Sequence, residues 1–300
     1  MRTISIFSPS SPNRALGAIA ALRATALLMA LALMGCGEGF ETTTSRGFGV
    51  KEWHLRLEGG KIEAVAVWPP GKGPWPALLL IHSGKGRAQR FSRELFSLSR
   101  RGLLAMSISL PGFGDSTGPE DFAGPRSVGA VLQATEYLAS RKDVPPGGIA
   151  IYGFGQGATT ALLAAIRDPR IRLVALESGV YDLGGAFKSL PPTMRERLRS
   201  IMGGSARDKP LAYKARSPKF EADKVRGPVL IMHSEESRIF PVAESEGLAA
   251  KLRGAGRPFR FVMTRGGLRE FLPGHPSIKR WVVPFIGDYM ALNTPNPSKN

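Results

Sequence analysis

The chain has 300 residues, a single cysteine and a formal net charge of +17. One cysteine excludes an internal disulfide framework, and the length suits one large α/β domain with a full core rather than a small stapled fold. The basic balance would suit an anionic partner, but it comes with neither a helix-turn-helix signal nor an aromatic-basic stripe suited to bases, so no dedicated nucleic-acid role is expected.

Residues 1–35 read as a signal peptide. Arg2, Arg14 and Arg23 form a basic leader, and "ATALLMALALMG", from Ala24 to Gly35, is an apolar run too short to span a bilayer comfortably. The run ends in "LMGC", which resembles the lipobox of bacterial lipoproteins. That resemblance implies acylation of Cys36, attachment to the bacterial membrane through it, and a lipid-anchored place in the cell envelope. Gly37 lacks the acidic character tied to inner-membrane retention, so the outer membrane, facing the periplasm, is expected in a Gram-negative cell. Losing the three leader arginines, with no acid among residues 1–35, leaves +14 on the remaining 265 residues.

Residues 36–49 read as the lipidated cysteine and a polar tether, "ETTTSRGFG". Period-two alternation on both sides of Gly59-Gly60 then predicts a hairpin over residues 50–69. "PWPALLLIH" and "LLAMSISL" are continuous apolar strands; between them Phe91, Leu95 and Leu98 share a helical face that Gly102 ends. A helix over 126–141, the strand "GGIAIYG", the helix "GATTALLAAI" and the strand "RLVALESG" extend the alternation. This order predicts an α/β fold with a predominantly parallel central sheet covered by helices on both faces. Residues 184–220 break the rhythm with the amphipathic helix "PPTMRERLRSIMGG" and read as a small lid or a long crossover. The strand "GPVLIMH", a helix at 242–252, the strand "PFRFVMT" and a last helix holding Trp281, Phe285 and Tyr289 complete a domain over 50–290, with 291–300 as a flexible tail.

Several stretches together resemble the α/β-hydrolase superfamily, in particular serine aminopeptidases, prolyl-oligopeptidase catalytic domains and dienelactone hydrolases. They are "LLLIHSG", "LPGFGDSTG", "IYGFGQGA", "SPKFEADKVRGPVLIMHSEESRIFP" and "GGLREF", in that order. The resemblance implies the α/β-hydrolase fold over roughly 50–290 and places a nucleophile elbow at "GFGQG". Gly153 and Gly157 allow strand and helix to approach closely there.

The resembled pattern also implies a Ser-Asp-His triad, and this chain departs from it at every member. Gly155 stands at the nucleophile and offers no oxygen. Ser237 stands at the acid in "HSEESRIFP" and carries no charge to stabilise an imidazolium. Arg269, or else Leu268, stands at the base, and neither can exchange a proton near neutral pH. Glu235, Glu236 and His275 are the nearby groups that a displaced site would draw on. Ser83, Ser116 and Ser178, near predicted carboxyl ends of strands, are the serines it would need.

Ser83 and Gln156 fall where backbone amides would form an oxyanion hole, and such amides can hold an anion without cleaving anything, so these two are the ligand-binding candidates. Ser109 replaces an aspartate that related sequences often carry before "PGFGDSTG", which predicts a turn kept with less polar anchoring. His54, His82, His233 and His275 are dispersed without ligand spacing, although His82 and His233 end parallel strands and would be able to approach each other; no metal or other cofactor is expected. The expected function is therefore a non-catalytic α/β-hydrolase-like lipoprotein that binds a ligand or an envelope partner, with an anionic one favoured by the charge. The alternative is a divergent esterase or peptidase with a displaced nucleophile.

Overall fold

The computed structural model describes residues 39–45, 48–57, 60–264 and 276–292. These residues fall within one compact unit, Gly37–Asn300. The apolar runs form the centre of a nine-stranded sheet in the order β1-β2-β3-β5-β4-β6-β7-β8-β9. The strands are β1 (Gly39–Ser45), β2 (Phe48–Leu57), β3 (Gly60–Trp68), β4 (Ala77–Ile81), β5 (Leu104–Ile108), β6 (Ile149–Phe154), β7 (Ile171–Glu177), β8 (Val229–Ser234) and β9 (Phe259–Thr264). All neighbours from β5 to β9 are parallel, whereas β1, β2 and β3 add to the β5 edge in antiparallel fashion.

Alternation along each central strand divides the core in two. In β4, Leu79 and Ile81 face one cluster while Leu78 and Leu80 face the other, and all four are fully buried. Helices α2 (Pro125–Ala139), α3 (Gln156–Arg167) and α7 (Val242–Gly254) cover the first face; α1 (Ser92–Ser99) and α8 (Val283–Tyr289) cover the second. At about 1.5–3 kcal/mol for each large aliphatic side chain taken from water, these two layers are the main source of stability. The predominantly parallel sheet covered on both faces is the architecture that the sequence predicted.

Two expectations change. The segment read as a polar tether contains β1, paired with β2 from Gly39↔Trp53 to Ser45↔Phe48. The β-branched run Thr42-Thr43-Thr44 favours extended backbone, and an open strand edge supplies the partner. The strand-ending histidines do not approach each other, because β6 and β7 separate β4 from β8.

Residues 184–220 form a helical subdomain with its own apolar centre. It comprises α4 (Leu183–Ala186), α5 (Pro192–Met202) and α6 (Pro210–Lys214). Leu183, Phe187, Leu198, Met202 and Tyr213 pack there with Phe122 and Phe240 from the loops of the main domain. Among the described residues no helix is long and apolar enough to cross a membrane.

Candidate functional site

Strand order reverses at β4, with β5 on one side and β6 on the other, and such a switch point opens a crevice at the carboxyl ends of the strands. The register Ile81↔Gly153 sets Ser83 beside Gly155, each two residues beyond its strand partner. Gly155 joins β6 to α3 at φ 55° and ψ −120°, a left-handed backbone that glycine adopts without the penalty a side chain brings. Its amide donates to the Glu177 carbonyl at 2.8 Å, which anchors the turn to β7. Gly157 is needed for close approach: a Cβ there would lie 2.5 Å from the His82 carbonyl oxygen and closer still to that of Ile81. Gly153 faces the first turn of α3 in the same way, its would-be Cβ overlapping the Gly157 carbonyl.

The turn geometry of an elbow is thus present without a side chain to react. The space a side chain at 155 would need is filled: its Cβ would collide with the Ser83 hydroxyl and lie 3.1 Å from Ser83 Cβ and 3.5 Å from Phe240 Cε2.

Both described histidines at strand ends are committed to the framework. His82 donates from Nδ1 to the Ser83 carbonyl at 2.6 Å and accepts the Leu110 amide at Nε2 at 2.9 Å. Burial pulls its pKa from 6.5 down to about 4, so it is neutral and held in one tautomer. His233, fully buried, meets Ser245 Oγ at 2.8 Å through Nδ1 and the Phe240 carbonyl at 3.2 Å through Nε2. Burial lowers its pKa as well. Ser237 donates its hydroxyl to that same Phe240 carbonyl at 3.1 Å, so at the acid position it closes the loop after β8. Glu235 and Glu236 are exposed on that loop.

Two of the three alternative serines are structural. Ser116 accepts the Glu63 amide and donates to the Ser109 carbonyl, and Ser178 accepts the Ser234 amide. The expectation of weakened anchoring at Ser109 is corrected by Glu63, which enters from β3. Ser109 Oγ donates to Glu63 at 2.5 Å and accepts the Ala88 amide at 2.8 Å, so the carboxylate an aspartate would have supplied arrives from another strand. Burial raises the Glu63 pKa, but hydrogen bonds from Ser109, Gln89, Arg87 and the Asp115 amide outweigh it and hold the group at about 2.

A cavity of about 370 Å³ opens above the elbow, lined by Ser83, Gly84, Lys85 and Gln156 together with apolar side chains. Its size is near the lower end of ligand pockets, which run from about 300 to 1,000 Å³. The subdomain supplies one wall through Pro191, Met194 and Arg197. Arg197 reaches across to Glu120 with Nε 3.1 Å from Oε2 and Nη2 on Oε1, and Nη2 also meets Gln156 Oε1 at 3.1 Å. Its guanidinium lies 6.0 Å from the Phe122 ring. Gln156 is 1 % exposed, and its Nε2 has no acceptor among the described residues, a state that costs about 1–3 kcal/mol while it lasts. Among the described residues no cluster of three His, Cys, Asp or Glu side chains is arranged to hold a metal.

Comparison with known proteins agrees with this geometry. Residues 123–267 match the family model of the prolyl oligopeptidase family. The uncharacterized peptidase YtmA of Bacillus subtilis (strain 168) is 23 % identical over 222 residues, which cover 71 % of this chain and 86 % of that protein. An acetyl xylan esterase from Paenibacillus sp. R4 superimposes with a TM-score of 0.69 at 18 % identity, covering 85 % of this chain and 88 % of the esterase. The chain has the α/β-hydrolase fold. Dipeptidyl peptidase 4 of Porphyromonas gingivalis shares the α/β-hydrolase fold at a TM-score of 0.66 and 17 % identity, over 81 % of this chain and 36 % of its own.

On this α/β-hydrolase frame, Gly153, Gly155 and Gly157 form the elbow, and Ser83 and Gln156 meet at the cavity. Ser237 and Glu236 stay on the loop after β8 and do not line it. Cys36, Leu268, Arg269 and His275 lie outside the described residues. Sequence reasoning missed Arg197, Glu120 and Glu63. Arg197 and Glu120 are 77 positions apart and Glu63 is 46 from Ser109, so no local pattern links either pair.

Proposed function

We propose that the chain is a non-catalytic α/β-hydrolase-like lipoprotein that binds a small ligand or a partner in the bacterial cell envelope. Its parentage is that of peptidases and esterases. The observation that carries the proposal is at the elbow: Gly155 has no side chain, and the Ser83 hydroxyl occupies the room one would need. A hydrolase of this fold needs a nucleophilic side chain at that turn and a titratable base within reach. His82 and His233 are neutral, buried and bonded at both ring nitrogens.

The anchor in this proposal is a lipidated Cys36, supported by the signal-like run and "LMGC", with the outer membrane facing the periplasm as its place in a Gram-negative cell. An anionic partner is supported by the charge, and in the subdomain Lys188, Arg199, Arg207, Lys209 and Lys214 are exposed. Binding to such a partner weakens as salt rises past the physiological range.

A divergent hydrolase is the second reading, and Ser83 is what favours it, since this hydroxyl lines the cavity beside Gln156. Purified full-length chain, beside a mock purification, is tested on a panel of acyl esters and aminoacyl amides. The proposal predicts that chain and mock preparations are equally silent. Turnover that follows the chain and disappears in Ser83→Ala overturns it in favour of the second reading.

A further inference from the structure

The cavity above Gly155 combines features that a purely structural remnant would not need. Arg197 is held in one pose by three constraints. Glu120 binds it through Nε and Nη2, Gln156 Oε1 receives Nη2, and Gly84 leaves room for it. A Cβ at Gly84 would lie 2.8 Å from both Nη1 and Nη2. These bonds engage Nε and Nη2, whereas Nη1 has no acceptor among the described residues. Arg197 lines the cavity, and its Nη1 lies against Gly84, which lines it too.

Gln156 points the same way. By accepting from Arg197, its Oε1 fixes the amide orientation and leaves Nε2 as a buried donor with nothing to receive it. Its backbone amide and that of Gly157 open α3, ahead of the Ala158 amide that donates to the Gly155 carbonyl at 3.0 Å, and the cap residue, Gly155, has no side chain to accept from them. Lys85 adds a second cation at the rim. Glu120 is the acid of this neighbourhood, and its charge is matched by Arg197. The polar end of the cavity is therefore rich in donors and net positive. Apart from Thr193 the rest is apolar, lined by Phe122, Pro191, Met194, Ile239 and Phe240.

We propose that this cavity receives a small monocarboxylate with an apolar body, its carboxylate oxygens set between Arg197 Nη1 and Gln156 and its chain against Phe122, Met194, Ile239 and Phe240. The proposal rests on the non-catalytic binding reading and specifies its ligand class. A carboxylate fits better than a cation or a neutral sugar, because it has acceptors without donors and a charge that the guanidinium and the helix terminus both favour. The cavity volume of about 370 Å³ limits it to a small molecule.

The test is calorimetric titration of the full-length chain with hexanoate, hexanamide, hexanol and methyl hexanoate, while acid release from the ester is followed in parallel. Hexanoate is expected to bind at least about tenfold more tightly than the neutral analogues, as a charge-assisted bond implies. Arg197→Lys keeps the charge but loses the fork, and Gly84→Ala displaces the guanidinium without changing any charge. Both are expected to remove that preference, weakening hexanoate at least about tenfold more than hexanol, and circular dichroism melts report whether each variant is folded. Equal binding of hexanoate and hexanol overturns the carboxylate assignment but leaves a binding pocket. Binding of none of the probes overturns the assignment too. Release of hexanoate from the ester instead strikes the non-catalytic reading itself.

Discussion

The Ser83 hydroxyl stands in the space that a side chain at Gly155 would need, so the two positions are sterically coupled. The β4–β6 register brings them together, and restoring serine at 155 alone would set it against Ser83. Gly155→Ala is expected to cost about 1–3 kcal/mol from the left-handed backbone alone, with the overlap adding to it. Adding Ser83→Ala removes the overlap but not the backbone strain, so the double variant recovers part of the loss. Urea melts of the four proteins in a double-mutant cycle measure this coupling.

Alanine at Gly157 or Gly153 meets carbonyl groups rather than a hydroxyl that can turn away. Either change is expected to cost about 3 kcal/mol or more, because strand and helix must separate. The urea midpoints should therefore rank both below Gly155→Ala.

Glu63 links stability to acid. Its folded pKa of about 2 lies below the ordinary 4.5, so its contribution is complete above pH 4.5 and is lost as pH falls through 2. Glu63→Gln is expected to lower stability at neutral pH by on the order of 1–3 kcal/mol, discounted for the half-exposed Arg87 partner. The gap between wild type and variant should close between pH 4.5 and 2 in denaturation curves taken across that range.

His82 gives a separate signature at higher pH. Its folded pKa of about 4 is depressed from 6.5, so the unfolded chain binds the proton first, and its contribution, full above pH 6.5, falls away from there down to pH 4. Imidazole NMR should show His82 as the Nδ1-protonated neutral tautomer down to about pH 4. A midpoint near 6.5 would mean that the bonds to Ser83 and Leu110 are not held.

The fold was legible because its signals are local. "ALLLI" and "IAIYGF" are long enough in unbroken apolar residues to name central strands, and Gly153, Gly155 and Gly157 mark the elbow by spacing alone. That glycine and serine stand at positions 155 and 237 was legible too, since each is read from one residue. What escaped depends on pairing at a distance. Glu63 restores the carboxylate at Ser109 from a different strand, and Arg197 acquires a role only when α5 is laid across the crevice onto Glu120 and Gln156. β1 escaped for a related reason, as a polar threonine run forms a strand there because β2 offers an edge.

The central claim, that this elbow performs no acyl chemistry, is tested most directly by exposing the full-length chain to a fluorophosphonate and weighing the intact protein. The account predicts an unchanged mass under conditions that label a control serine hydrolase fully. A stoichiometric adduct that maps to Ser83 would contradict it and identify a displaced nucleophile.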